Sequence, residues 1–200
     1  EWPAGPVSGR TTGTSLKILT SYINFSALNS PVYAVDHATV ELIPGKQDRD
    51  WEQRWRIVQD DLQQLLQPKT EICSSDTIHA SAHHLFSFYI AAYHLKDILK
   101  EAAPQLGIEA SEVEAAITND PRLSLLADLA NLDKHYRLER RPRSGNVPII
   151  DKLSGINTQE EGGWQLSVQI RHGAAILDGL AIAQDAINAW NEKFQLWGLI

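Results

Sequence analysis

The chain has 200 residues, of which 43% are hydrophobic, a size and composition that suit one domain with a substantial core. Its formal net charge of -7 argues against indiscriminate nucleic-acid binding, although a local basic patch remains compatible with it. The single cysteine, Cys73, excludes an internal disulfide and predicts a cytoplasmic protein. No apolar run approaches the roughly 20 residues that a membrane helix needs, so no membrane partner is expected.

The N-terminal part of the chain is predicted to be separate in character from the rest. Residues 1–15 are rich in Gly, Pro, Ser and Thr and predict a flexible lead-in. Residues 16–44 contain two β-rich runs around Asn29, Ser30 and Pro31, which predicts a small antiparallel hairpin. From residue 48 onward, helical periodicity takes over.

Two long helices come next. The first is predicted to begin near Asp50 and to end before Pro68. The second should run over residues 75–102 and end before Pro104. Its apolar residues spread nearly all round, which predicts a central place in a helical bundle. The first helix carries a single apolar stripe at spacings of three and four: Trp51, Trp55, Val58, Leu62 and Leu65.

Two further helices are predicted, a short one over residues 110–117 and a longer one from Asp120 to about Leu138. Asp120 and Pro121 form a strong start signal, because an acid at the N-cap and proline at the first helical position both favour helix initiation. Pro142 prevents that helix from continuing much further.

The last part of the chain is predicted to form a β-hairpin and a helix. Residues 147–150 and 164–170 have the pattern of two strands, so we expect a β insertion at about residues 146–171, with residues 171–173 turning from strand to helix. Asp178 should cap the final helix. The predicted fold is mainly α: a single-domain helical bundle with a small N-terminal β-hairpin and a β-hairpin inserted before the C-terminal helix.

Polar residues form a stripe on each of two otherwise apolar helices. Histidine transfers protons near neutral pH, and a neighbouring carboxylate orients it, so facing stripes would suit acid–base catalysis or metal binding. The alternative is that the stripes face solvent or hydrogen-bond to one another to fix helix register. The central helix groups His83, Ser87, Ile90, His94 and Asp97, and the later helix groups Ser124, Asp128, Asn131 and His135.

Residues 134–143, called the basic segment below, follow directly on the later stripe. A cationic loop next to a histidine is what phosphate recognition requires, and it predicts contact with RNA or a nucleotide. Cations at a helix C-terminus also favour the helix dipole, so a purely solvated face is the alternative. The candidate phosphate-binding residues are Lys134, Arg137, Arg140, Arg141 and Arg143.

Residues 93–97 (Tyr-His-Leu-Lys-Asp) and 128–135 (Asp-Leu-Ala-Asn-Leu-Asp-Lys-His) resemble a group of bacterial helical proteins and, more distantly, the HEPN superfamily. The resemblance covers about residues 50–143 and extends to the last helix. HEPN domains are often dimeric, metal-independent ribonucleases of toxin–antitoxin and anti-phage systems. Their motif is Arg, a polar residue, three variable residues and His. Aligning this motif with the chain places its histidine at His135 and its polar residue at Asn131, while Ala130 stands at the arginine position.

Three functions follow as alternatives. The first is a HEPN-like, nucleic-acid-associated protein of bacterial defence, acting as a metal-independent ribonuclease or a degenerate relative without cofactors; its site would comprise His135, Asn131, Asp128, Asp97 and His94. The second is a non-catalytic, homodimeric binding or regulatory module with RNA or a protein as partner. The third is a metal-dependent hydrolase that uses His94, Asp97, Asp128 and His135. Because Ala130 replaces the motif arginine, enzymatic activity stays an open question.

Overall fold

A computed structural model describes residues 51–135, 141–158 and 163–200, with the backbone alone at residues 133–135. The predicted lead-in over residues 1–15 and the predicted hairpin over residues 16–44 lie outside these residues. The described residues are mainly helical, as predicted, and also form a small antiparallel sheet. Their elements are α1 (Trp51–Leu66), α2 (Ser75–Leu106), α3 (Ala110–Asn119), α4 (Pro121–His135), β1 (Ile149–Thr158), β2 (Gly163–His172), β3 (Ala175–Asp178) and α5 (Gly179–Leu196).

Helix α2 is the centre of the bundle, as its nearly all-round apolar surface predicted. It contacts each of the other four helices as well as β1 and β2. Two buried hydrogen bonds join it to α5: the Tyr89 hydroxyl donates to the Gly179 carbonyl at 2.7 Å, and Trp190 Nε1 donates to the Ala92 carbonyl at 3.1 Å. Burial and the nearby Asp178 carboxylate raise the pKa of Tyr89, so the phenol stays protonated as a donor.

The end of α2 differs from the prediction. We expected the helix to stop before Pro104, but it continues to Leu106 with Pro104 inside it. Pro104 cannot donate to the Lys100 carbonyl and its ring crowds that carbonyl, but only two residues of the helix follow it, so little of α2 depends on the disturbed turn. Gly107 ends the helix in the left-handed region at φ 71°, where glycine carries no steric penalty.

Predicted helix starts and faces are confirmed at three places. All five residues of the α1 stripe are buried. Asp120 Oδ1 accepts from the Arg122 backbone N–H at 3.0 Å at the start of α4, and the Asp178 side chain accepts from Ala181 N–H at 2.9 Å at the start of α5. Helix α4 is described to His135, and its predicted extension to Leu138 lies outside the described residues.

The sheet has three strands, in the order β1–β2–β3, where we predicted a two-stranded hairpin. The predicted strand-to-helix turn at residues 171–173 is therefore wrong: it joins β2 to the four-residue β3, with Gly173 at φ 63°. The predicted alternation in β2 is confirmed. One face of that strand packs into the core and presents Trp164, Leu166, Val168 and Ile170.

None of the described helices combines the length and the hydrophobicity that crossing a membrane requires.

Candidate functional site

Asp128 is a buried site residue that accepts three hydrogen bonds from one loop. It lies on α4 and is only 3% exposed. Its Oδ1 accepts from the Arg143 backbone N–H at 2.9 Å, and its Oδ2 accepts from the Ser144 backbone N–H at 2.8 Å and from Ser144 Oγ at 2.6 Å. Hydrogen bonds to an ionised acceptor are stronger than neutral ones, so they compensate the burial of this charge. Asp128 thus attaches the loop at residues 143–144 to α4.

The loop geometry presents these donors together. Gly145 N–H donates to the Pro142 carbonyl at 3.3 Å, and Gly145 itself has φ 90°, a conformation that side chains rarely adopt. The turn that Pro142 and Gly145 make points the consecutive N–H groups of Arg143 and Ser144 toward one carboxylate. Pro142 was predicted only to end the helix, and together with Gly145 it also forms the turn that Asp128 binds.

Ser144 and His172 extend the contacts of Asp128. His172 Nε2 lies 2.9 Å from Ser144 Oγ. Because a carboxylate only accepts, the single hydroxyl proton of Ser144 goes to Asp128, and Ser144 Oγ then accepts from His172 Nε2–H. The serine stands between the acid and the histidine, whereas a catalytic triad has the histidine between the acid and the serine. This order gives Ser144 no base to activate it as a nucleophile.

Sequence reasoning missed both Ser144 and His172. They lie 28 residues apart in the chain, in a loop and at the end of a strand, and no local periodicity relates such positions. The one available signal was the buried acid itself, because a carboxylate on a helix this apolar requires donors from elsewhere in the fold.

The other polar residues of α4 bond to nearby carbonyls. Ser124 Oγ lies 2.8 Å from the Ile117 carbonyl at the end of α3, and Asn131 Nδ2 donates to the Ala127 carbonyl at 2.8 Å. Ala130, at the position of the HEPN arginine, is 3% exposed. The side chain of His135 lies outside the described part of the structure.

On α2, the structure brings His94 and Asp97 together. His94 Nδ1 lies 2.9 Å from Asp97 Oδ2, and the side chains are 40% and 50% exposed. Lys96 Nζ also bonds to Asp97 and lies 4.7 Å from the centre of the Tyr93 ring. Burial alone would raise the pKa of Asp97. The hydrogen bonds from Lys96 and His94 stabilise the carboxylate more strongly, so the net effect is a lowered pKa.

The polar stripes on α2 and α4 make different contacts. His83 and Ser87 are exposed on α2, and Ile90 is half-buried beside them. Asp97 bonds within its own helix, whereas Asp128 bonds to the loop at Arg143 and Ser144. Among the described side chains, no hydrogen bond or ion pair joins one stripe to the other.

Of the basic segment, the structure describes Arg141 and Arg143 with their side chains. Arg141 is exposed. The Arg143 guanidinium pairs with Glu114 at 2.8 Å, and Lys100 lies 3.3 Å from the same carboxylate. The hydrogen bond from Arg143 is the main reason that the pKa of Glu114 is lowered. The Lys134 side chain, Arg137 and Arg140 lie outside the described part.

Comparisons of the chain with protein-family models, curated proteins and solved structures found no match. The resemblance to HEPN domains therefore stays a prediction that depends on the sequence segments and on the helical fold.

The described side chains form no group of three or more His, Cys, Asp or Glu residues that could hold a metal ion. Of the four ligands considered for a metal-dependent hydrolase, His94 and Asp97 are adjacent, while Asp128 already accepts three hydrogen bonds from the loop. Both carboxylate oxygens of Asp128 are therefore engaged by the loop, and Asp128 could coordinate a metal ion only if the loop were displaced.

Proposed function

We propose that this chain is a HEPN-like, nucleic-acid-associated protein that binds RNA through its basic segment without cleaving it. The observation that carries the proposal is the attachment of Arg143 and Ser144 to the buried Asp128. This contact fixes the C-terminal end of the basic segment on the same helix from which the segment starts.

The positions of the two ends support a binding role. Asp128 lies seven residues before His135 in α4, about 10 Å along the helix axis. The chain is described as helical up to His135 and is bound to α4 again at Arg143. Fixing both ends lowers the conformational entropy that the segment would lose when it binds a ligand. Its arginines and lysine provide the charge that phosphate groups require, in a chain that is otherwise acidic.

Two observations favour binding over cleavage. Ala130, which stands where HEPN ribonucleases have their arginine, is buried and adds no charge. Asp128, which with Asp97 was one of the two carboxylates expected to orient His135, is occupied by the loop. The chain then acts as a binding or regulatory module of a bacterial defence or toxin–antitoxin system.

A metal-independent ribonuclease is the second candidate, because the structure contains one suitable acid–base pair. His94 and Asp97 are 2.9 Å apart and part-exposed, so a substrate hydroxyl can approach the imidazole. In this case His135, Asn131 and His94 would share the proton transfers and substrate positioning.

The resemblance also implies a homodimer, and the single cysteine predicts a cytoplasmic location. The exposed thiol of Cys73 is compatible with a reducing compartment. Analytical ultracentrifugation of the full chain tests the dimer directly.

The test of RNA binding is a pair of charge-matched variants. The first replaces Arg137, Arg140 and Arg141 with Gln. The second replaces Arg56, Lys69 and Lys152 with Gln and thereby removes the same charge elsewhere. Fluorescence anisotropy with a labelled single-stranded RNA is measured over a range of salt concentrations. We expect the slope of log affinity against log salt to fall by about 2 in the first variant only. Equal effects in both variants, or no binding at low salt, would refute the proposal.

Cleavage is measured separately. Wild-type protein and His135→Ala are incubated with total RNA in EDTA, after both are shown to fold. Intact RNA with both proteins is the expected result. Cleavage by the wild type alone would refute the proposed non-catalytic function in favour of a ribonuclease with His135 in its active site.

A further inference from the structure

A second candidate site is a cavity whose lining includes Ser144 and His172. The cavity has a volume of about 280 Å³. It lies where the first turns of α4 and α5 meet the end of β2 and the end of β3. Because it draws on four elements, it is held by the fold and not by one mobile loop.

The floor of the cavity is apolar. Leu125 of α4 and Ile182 of α5 line it and keep 8% and 6% exposure, whereas Leu126 and Ala183, their immediate neighbours in the chain, are fully buried. The half-buried Leu177 of β3 completes this surface. The floor would therefore cover the hydrocarbon part of a ligand and remove it from water.

The one arginine at the rim is already paired. Arg122 donates to Asp120 from Nε at 3.1 Å and from Nη2 at 2.8 Å. Its Nη1 donates to Glu192 at 2.8 Å, and Nη2 also bonds to Glu192. A guanidinium that donates to two carboxylates has little charge or hydrogen-bonding capacity left for an anionic ligand.

The acids at the rim have capacity left. Asp178, the N-cap of α5, and Asp185, seven residues later in α5, both line the cavity. Asp178 Oδ1 caps the helix through Ala181 N–H, which leaves its second oxygen available, and Asp185 is exposed. Within the described ranges, neither carboxylate makes an ion pair. The two carboxylates carry full negative charges, which exceed the partial positive charges at the N-terminal ends of α4 and α5, so the local field favours a cation over the apolar floor.

We propose that this cavity binds a small organic cation, a protonated amine on a short apolar body, with the amine at Asp185 and the body on Leu125 and Ile182. The cavity shares Ser144 with the loop that Asp128 binds, but the residues proposed to hold the ligand lie on α4 and α5. Its volume lies just below the range typical of pockets for drug-sized ligands, about 300–1,000 Å³. A ligand with one ring or one short chain fits that volume better than a nucleotide does.

The test uses three probes that share one apolar body and differ in charge: phenethylamine, 2-phenylethanol and phenylacetate. Titrations of the full chain are followed by backbone amide NMR at millimolar probe concentration. We expect shifts at residues around the cavity and an affinity for the amine about tenfold above that for the alcohol. Phenylacetate should bind more weakly than either.

Three variants separate the charge from the cavity. Asp185→Asn should reduce amine affinity to that of the alcohol, while Asp60→Asn, the same change on the exposed side of α1, should leave it unaltered. Ala181→Leu, at an exposed lining position, should weaken all three probes by narrowing the cavity. Absence of binding by every probe, equal affinity for the three, or an amine affinity that survives Asp185→Asn would overturn the proposal.

Discussion

Asp128 and Asp97 have similar sequence surroundings and different roles in the fold. Each is an acid on a helix, on a stripe with a histidine, and each was a candidate for orienting that histidine. Asp128 is almost fully buried and binds donors 15 and 16 residues away, in a different part of the fold. The Asp97 side chain is 50% exposed and binds partners one and three residues away. Burial and the sequence separation of the partners therefore distinguish Asp128, which joins two parts of the fold, from Asp97, which forms a local pair at the surface.

The largest effect on stability is expected from removing the Asp128 carboxylate. Asp128→Ala should lower the free energy of unfolding by about 3 kcal/mol, because two backbone N–H groups and the Ser144 hydroxyl lose their buried acceptor. Urea unfolding followed by circular dichroism measures the change. Asp97→Ala is the matched control and should cost less than half as much. Equal losses would contradict the distinction between the two acids.

A smaller effect is expected when only the hydroxyl is removed. Ser144→Ala should cost about 1.5 kcal/mol, since the Ser144 backbone N–H still bonds to Asp128 while the Oγ contacts to Asp128 and His172 disappear. The same urea titration applies. Ser87→Ala, on the exposed side of α2, should change stability by less than about 0.5 kcal/mol. A loss in Ser144→Ala no larger than in Ser87→Ala would mean that the hydroxyl contributes nothing.

Local patterns predicted the parts of the fold that local physics decides. The α1 stripe and the caps at Asp120 and Asp178 depend on spacings of a few residues, and all three are confirmed. Strand β3 was missed because four residues are too few to show a period, and Gly173 before it indicates equally well a turn into a helix.

The contacts of the candidate site could be predicted only in part. His94 and Asp97 are three residues apart, and helical geometry alone brings them together. Asp128 was selected because it is a polar residue on an apolar helix, but its partners depend on where the chain goes after residue 140. Charge patterning likewise marked Arg143 as a cation without showing that Glu114, 29 residues earlier, is its partner.

A moderate effect is expected at the surface pair. Asp97→Asn should cost about 1 kcal/mol, because it removes the carboxylate that Lys96 binds while the Lys96 side chain stays 11% exposed. The remaining support for that ammonium is the Tyr93 ring. Thermal unfolding at pH 7 measures the loss. His94→Gln provides the comparison and should cost less, since it leaves the Lys96 contact intact. The reverse order would show that His94, and not Lys96, is the partner that matters.

The smallest effect separates the side chain of Arg143 from its backbone. Arg143→Gln keeps the backbone N–H that Asp128 accepts and removes the guanidinium that pairs with Glu114. Both side chains are about one-third exposed, so solvent screening limits the expected cost to about 0.5 kcal/mol at pH 7. A pH titration of the difference in unfolding free energy between wild type and variant measures it.

The pH dependence of that difference has a definite sign. The folded-state pKa of Glu114 is lowered, so its contribution is fully present above the unfolded pKa of about 4.3 and is lost as the pH falls through the folded value. The wild-type advantage should therefore vanish in acid. Arg143→Lys, which keeps the charge, should retain part of it. If the Arg143→Gln deficit persisted unchanged at low pH, the cost would come from the backbone contact with Asp128, and the side chain and backbone of Arg143 would not be separable.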